Sequence, residues 1–194
     1  RRVLFRSEEM AALAAAADVP LAELEALHAI PDVSEFHCSF FAAWGDATRD
    51  GHMIQIRALD YERGAFLQAY PMIVCYWPET EGSVPWVSVT FMGFVGTVTG
   101  MNSEHIAMSE IGDDFRFDQE TLIGKPLEFV MRDALEKSRT LEEALAQVRD
   151  SKRTSSLLYC LSDAKLPDAR AMATAPDVFK AWDWTNLPSD LPAL

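Results

Sequence analysis

The sequence predicts an α+β fold with helices packed on a mostly antiparallel sheet, and three observations carry that expectation. Residues 52–59, 70–77, 86–92, 94–99 and 105–111 read as strands between turn signals, and such short connections favour antiparallel neighbours. Two helical segments with apolar stripes follow Gly124. Residues 155–162 then return to strand texture, with 169–174 a weaker strand before a tail rich in Pro, Asp and Trp.

In chain order, residues 8–17 are rich in alanine and glutamate and Ser7 stands at an N-cap position, which predicts a first helix. Pro20 suits the first turn of a second helix, along which Leu21, Leu24, Leu27 and His28 lay one stripe. Ile30-Pro31-Asp32 is expected to break it. The Asp50-Gly51 pair predicts a hairpin turn ahead of the strand at 52–59. Pro126 can open a helix that buries Leu127, Val130, Met131 and Leu135. Thr140 with Glu143 makes a capping box for an adjacent helix, which turns Leu141, Ala144, Leu145 and Val148 inward.

A chain of 194 residues with 49% hydrophobic content is sufficient for one domain with a substantial core. The net charge of −13 opposes a nucleic acid or an anionic membrane as partner. The apolar runs fall well short of the roughly 18–20 residues of a membrane span. Cys38, Cys75 and Cys160 form neither a metal spacing nor a disulfide framework, which fits a reducing, cytoplasmic setting. His28, His52 and His105 are scattered, and Gly93, Gly96 and Gly100 lack the order of a phosphate loop, so no metal or other cofactor is expected. The expected partner is a small molecule, with homo-oligomerisation left open. The opening RRVLFRSEEM has neither an initiator methionine nor signal-peptide order, which fits a processed piece or a fragment.

The densest concentration of chemistry is CSFFAAWGDATRDGHMIQIRALDY, which begins at Cys38. A thiol serves as a nucleophile when neighbours hold it near its thiolate form, and Arg57 and Asp60 are the candidate neighbours. An isolated cysteine is otherwise core filling, and two such charges are otherwise a surface pair. Three residues apart near a strand end, Arg57 and Asp60 point to opposite faces unless a bulge or turn intervenes. Asn102 lies in GFVGTVTGMNSEHIAMSEIG, a strand-turn-strand unit in which asparagine tolerates positive φ. His37 is adjacent to Cys38, but neighbouring side chains diverge in an extended segment, so it is expected to be an exposed linker residue.

The order Cys-Ser, Trp-Gly-Asp-Ala-Thr, Asp-Gly, Arg-x-Leu-Asp-Tyr and then Gly-Met-Asn resembles the N-terminal-nucleophile (Ntn) hydrolases of the penicillin acyltransferase type, the C45 peptidase family. Bile salt hydrolases and penicillin V acylases share the pattern more distantly. The resemblance runs over residues 30–165 and implies an αββα sandwich. It also implies self-cleavage before Cys38, so that 1–37 is a helical leader or pro-segment, 38–194 the core, and the freed α-amine the general base. By the same resemblance Arg57 lies beside the thiol, Asp60 contacts the cysteine amine and the substrate amide, and Asn102 contributes to an oxyanion hole. Ala58, His105 and His37 stand where the family more often has asparagine, glycine and glycine. A second asparagine and a distal arginine of the family fall after the point matching residue 165 and are assigned to no residue here, so a core truncated at its C-terminus is expected. The implied activity is a cysteine-nucleophile amidase or acyltransferase working through an acyl-thioester. A catalytically inactive binding or assembly subunit of the same fold is the alternative, and a lipid amidase is a third reading.

Overall fold

The computed structural model describes residues 6–33, 37–60, 69–112, 120–121 and 123–188. Two helices come first, α1 (Ser7–Ala17) and α2 (Leu21–Val33). Arg6, in a left-handed conformation at φ 47°, precedes α1, so Ser7 is helical and not its cap. The guanidinium of Arg6 reaches Asp133 and Glu136, which draws the turn inward. Helix α2 runs through Pro31, contrary to the expected break. Its last turn is held from outside, because Asp32 accepts hydrogen bonds from the Thr154 and Ser155 hydroxyls at 2.7 and 2.6 Å.

The strands β1 (His37–Gly45) and β2 (Gly51–Asp60) follow as an antiparallel hairpin. His37 is therefore part of a strand and not a linker. Gly51, at φ 78°, opens β2 across from Gly45, so the Asp-Gly pair closes the loop 46–50 and is not itself the whole turn. Next come β3 (Pro71–Tyr76), β4 (Trp86–Phe91), β5 (Thr99–Asn102) and β6 (Ile106–Ile111). The helices α3 (Leu127–Lys137) and α4 (Leu141–Arg149) precede β7 (Leu157–Asp163), β8 (Asp168–Ala175) and β9 (Val178–Trp182). Strands β3 to β9 form one antiparallel sheet in sequence order. The fold is thus α+β with mostly antiparallel sheets. At α4 the capping box forms with a shift, as Thr140 accepts from the Glu143 amide while the Glu143 carboxylate accepts from the Arg139 amide.

The two faces of the large sheet carry different layers. Ile106, Met108, Leu157, Tyr159, Leu161 and Met172 pack against Leu127, Val130, Met131, Leu135 and Val148 of the helix pair. Each such side chain stabilises by roughly 1.5–3 kcal/mol when fully buried. On β7 the alternate residues Leu158, Cys160 and Ser162 face the other way, and the strand is buried along its whole length because the β1–β2 hairpin lies over that second face. A smaller cluster of Met10, Ala14, Leu24, Val95 and Phe129 joins the leading helices to α3 and the loop before β5.

Residues 94–98, expected as a strand, are irregular, and the strand begins only at Thr99. Their backbone groups are taken elsewhere: the Val95 amide donates to His28 Nε2 at 2.8 Å and its carbonyl accepts from Arg132 at 2.7 Å. Gly96 is required here, since a Cβ would collide with Glu128 at the start of α3. Strand β9 falls in the segment read as tail. Among the described residues no helix is long and apolar enough to cross a membrane.

Candidate functional site

The hairpin register decides which of the expected residues meet. Cys38 pairs with Leu59 and Phe40 with Arg57, so Cys38 and Arg57 are diagonal neighbours on one face of the hairpin. This is the face turned to the large sheet, where the Arg57 side chain is 5% exposed. Arg57 Nη2 lies 3.1 Å from Cys38 Sγ. Asp60 pairs with His37 on the opposite, exposed face of the hairpin, as the two-residue period requires. No bulge turns its carboxylate back, and only its main chain hydrogen-bonds toward the thiol.

A third side chain completes the contact. Glu110, on β6, receives the Arg57 guanidinium on Oε1 and again on its own carbonyl at 3.2 Å. Its side chain is 2% exposed and its Oε2 has no partner among the described residues. Burial raises the carboxyl to about 7, against the opposing pull of Arg57. The same surroundings act on Cys38: burial first, and then the Glu110 charge, push the thiol above its ordinary value, while Arg57 and main-chain groups of Gly112 and Asp60 pull it down. With Glu110 charged, the guanidinium beside the sulfur is offset, and the thiol of the uncut chain rests protonated at neutral pH. The sequence did carry a signal for Glu110. It is a lone acid inside the apolar run from Ile106 to Ile111, and a charge buried there needs a cationic partner.

Asn102 is elsewhere. Its Nδ2 donates to the carbonyls of Leu135 and Ser138 at 2.8 and 2.7 Å, and its Oδ1 accepts from the amides of Glu104 and Ile106, both at 3.0 Å. Every hydrogen-bonding position of the side chain is used to tie the β5–β6 turn to the end of α3. Asn102 pairs with Trp86 of the helix-side core, and it sits at the Ile106 end of β6, about 13 Å along the strand from Glu110. The structure therefore does not bring it to Cys38, and in this arrangement its side chain anchors the β5–β6 turn. His105 takes the left-handed position of the turn, at φ 59°, where glycine was the expectation.

The hairpin is seated by one more polar contact that the sequence reading passed over. Gln55 Nε2 donates to Ser109 Oγ at 2.9 Å, and Gln55 Oε1 accepts from Ser162 Oγ at 2.5 Å. The described residues contain no group of three or more His, Cys, Asp or Glu arranged to hold a metal.

No protein-family model matches the chain. Protein dcd1B of Dictyostelium discoideum is 25% identical over 175 residues, which is 90% of this chain and 35% of that protein. The chain thus spans about a third of the length of this relative. Among solved structures, an N-acylethanolamine-hydrolyzing acid amidase ortholog of Caenorhabditis elegans matches with a TM-score of 0.57 at 18% identity, over 75% of this chain and 63% of its own. A variant of the conjugated bile acid hydrolase of Clostridium perfringens matches with a TM-score of 0.55 at 12% identity, over 75% of this chain and 50% of its own. Both are Ntn-type enzymes, and the likeness establishes that this chain shares their fold.

Proposed function

We propose that this chain carries the nucleophile half of a cysteine-dependent amidase or acyltransferase site, belonging to the C45 type, in which Cys38 attacks the acyl carbon of a linear amide. The observation that carries the reading is the Arg57 guanidinium at 3.1 Å from Cys38 Sγ, on the hairpin face turned to the sheet of an Ntn-type fold. The carbon–nitrogen bond breaks as the carbon–sulfur bond forms. The thiol proton passes through a base to the departing amine, and water or an acceptor amine then resolves the acyl-thioester.

That base is the α-amine of Cys38, freed by self-cleavage of the 37–38 bond; an α-amino group, with a pKa of roughly 8, suits the task where the thiol itself is held protonated. Asp60 faces His37 across the hairpin, so the released amine emerges beside it, which supports its proposed contact with that amine. Residues 1–37 are in this reading a leader that docks through its helices.

Intact mass spectrometry, together with turnover of N-acyl amino acids, N-acyl ethanolamines and β-lactams, tests the proposal. Cleavage before Cys38 and loss of turnover in Cys38→Ala are expected. An uncut chain whose turnover survives Cys38→Ala would overturn it. A chain that neither cleaves nor turns over, with Cys38 no more reactive than Cys75, would favour the inactive binding subunit.

A further inference from the structure

Among the described residues the hairpin that carries Cys38 and Arg57 shares no backbone ladder with the seven-stranded sheet; the two form separate sheets. Something other than strand pairing must set where the hairpin rests, because a slip along the sheet would carry Arg57 away from Glu110. Leu59, Arg57, Gln55 and Met53 are the half-buried residues of β2 that alternate toward the sheet. Two of them make polar contacts with it: Arg57, to Glu110, and Gln55.

The Gln55 contact is specific to an amide. Ser109 pairs with Cys160, and Ser162 pairs with Ala107, so the two serines stand on one face of adjacent strands at a diagonal. A diagonal pair is separated by roughly 7–8 Å. An amide side chain lying between them offers a donor to one hydroxyl and an acceptor to the other, and the observed bonds use both ends. A hydrocarbon would make neither bond, and a carboxylate would bring a second negative charge toward Glu110.

We infer that Gln55 is a positioning residue: by bridging Ser109 and Ser162 it fixes the seat of the hairpin on β6 and β7, and so keeps the Arg57 guanidinium, two residues further along the same face, on the Glu110 carboxylate that offsets its charge beside the Cys38 sulfur. This rests on the reading of Cys38 as the nucleophile, but it concerns the geometry of the thiol and can be tested without turnover.

The test is the alkylation rate of Cys38 by anionic iodoacetate and neutral iodoacetamide as a function of pH. Rates are followed by peptide mass spectrometry, with exposed Cys75 as the internal reference. A guanidinium beside the sulfur favours the anionic reagent. In Gln55→Met Arg57 leaves Glu110 but stays beside Cys38 on the hairpin, so the iodoacetate-to-iodoacetamide ratio at Cys38 is expected to rise, by up to about fivefold, the weight of one unit charge about 4 Å away in water. The pH at which alkylation reaches half its maximum should also move downward. Ser162→Thr, which keeps the hydroxyl, should keep the parent ratio, whereas Ser162→Ala should raise it.

The triple variant Gln55→Met, Ser109→Ala, Ser162→Ala leaves no polar group of the bridge unpaired and should unfold in urea close to the parent, yet show the same rise in the ratio. That variant separates positioning from stability, and it carries the test if Gln55→Met alone does not fold. An unchanged or lower ratio in folded Gln55→Met or in the triple variant overturns the inference. A rise in the ratio alongside absent turnover in the parent would leave the geometry standing and remove the amidase reading instead.

Discussion

Replacing Glu110 by glutamine sets two effects against each other, and the sign of the outcome decides between them. Removing one partner of a buried ion pair ordinarily destabilises by about 3–5 kcal/mol, because the remaining charge is left alone. In this site burial outweighs the attraction of Arg57: the carboxyl titrates at about 7 instead of 4.5. At about 1.4 kcal/mol per pKa unit, the ionised carboxylate is costlier in the folded chain than in the unfolded one by about 3 kcal/mol. Since the folded pKa is raised, the folded chain binds more protons between pH 4.5 and about 7, so this group's stabilising contribution is complete below 4.5 and is lost as pH rises through 7. Glutamine keeps the shape and the acceptor oxygen of the protonated acid and never ionises. Glu110→Gln should therefore match the parent near pH 4.5 and exceed it by up to about 3 kcal/mol at pH 8. Urea unfolding of both proteins across this range, read as the difference between them, removes the contributions of every other titrating group. A variant less stable than the parent at pH 8, or a difference that stays flat with pH, would refute the reasoning and put the attraction of Arg57 ahead of burial.

Asn102→Ala should destabilise the chain by about 3 kcal/mol or more in urea, since it orphans two carbonyls and two amides; a loss below about 1 kcal/mol would contradict the scaffold role. Arg153 donates to six main-chain carbonyls, those of Val148, Arg149, Ser151, Ala175, Pro176 and Val178. Arg153→Met should cost about 3 kcal/mol or more by the same measure, with hydrogen exchange rising first at the end of α4 and the β8–β9 turn; uniform exchange across the chain would contradict that assignment. Burial lowers the His28 pKa, and its Nε2 accepts from the Val95 amide only while neutral, so the contribution of His28 to docking the leading helices is present above pH 6.5 and lost as pH falls through its folded value. Protection of the α2 amides, taken relative to the intrinsic exchange rate at each pH, should fall at pH 5 relative to pH 7.5 in the parent but not in His28→Gln, and an equal fall in both would assign the acid response to other groups.

The elements that were legible in the sequence are those whose side chains decide their conformation. Residues 52–59 have the β-branched texture of a strand and alternate between exposed and half-buried as its two-residue period requires, and Thr140 with Glu143 marks the start of α4 by its own chemistry. The errors fall where distant groups satisfy the backbone. Residues 94–98 have strand-like side chains, but His28 and Arg132, remote in sequence, occupy the Val95 amide and carbonyl and leave no ladder to form. Pro31 removes a helical donor, yet Asp32 is held by hydroxyls more than a hundred residues away, and the helix continues. At the site, the facing of Arg57 and Asp60 follows from the two-residue period alone. The partner of Arg57 does not, because the hairpin's position over β6 is set by tertiary contacts that no local pattern encodes.

Those contacts change the electrostatic account of the thiol. With Arg57 and Asp60 as the only neighbours, the arginine would simply favour the thiolate. With Glu110 present, the charge next to the sulfur depends on a second titration: while the carboxyl is neutral the guanidinium is unopposed, and once it ionises the guanidinium is shared and the thiol becomes harder to deprotonate. The two groups are coupled in opposition, so raising the pH removes part of the help that Arg57 gives at the same time as it favours thiolate formation. A nucleophile in such a setting cannot rely on self-ionisation near neutrality. It needs a base delivered to the sulfur, and in the proposed reading that base is the nitrogen of Cys38 itself, which turns basic only when the bond to His37 is cut.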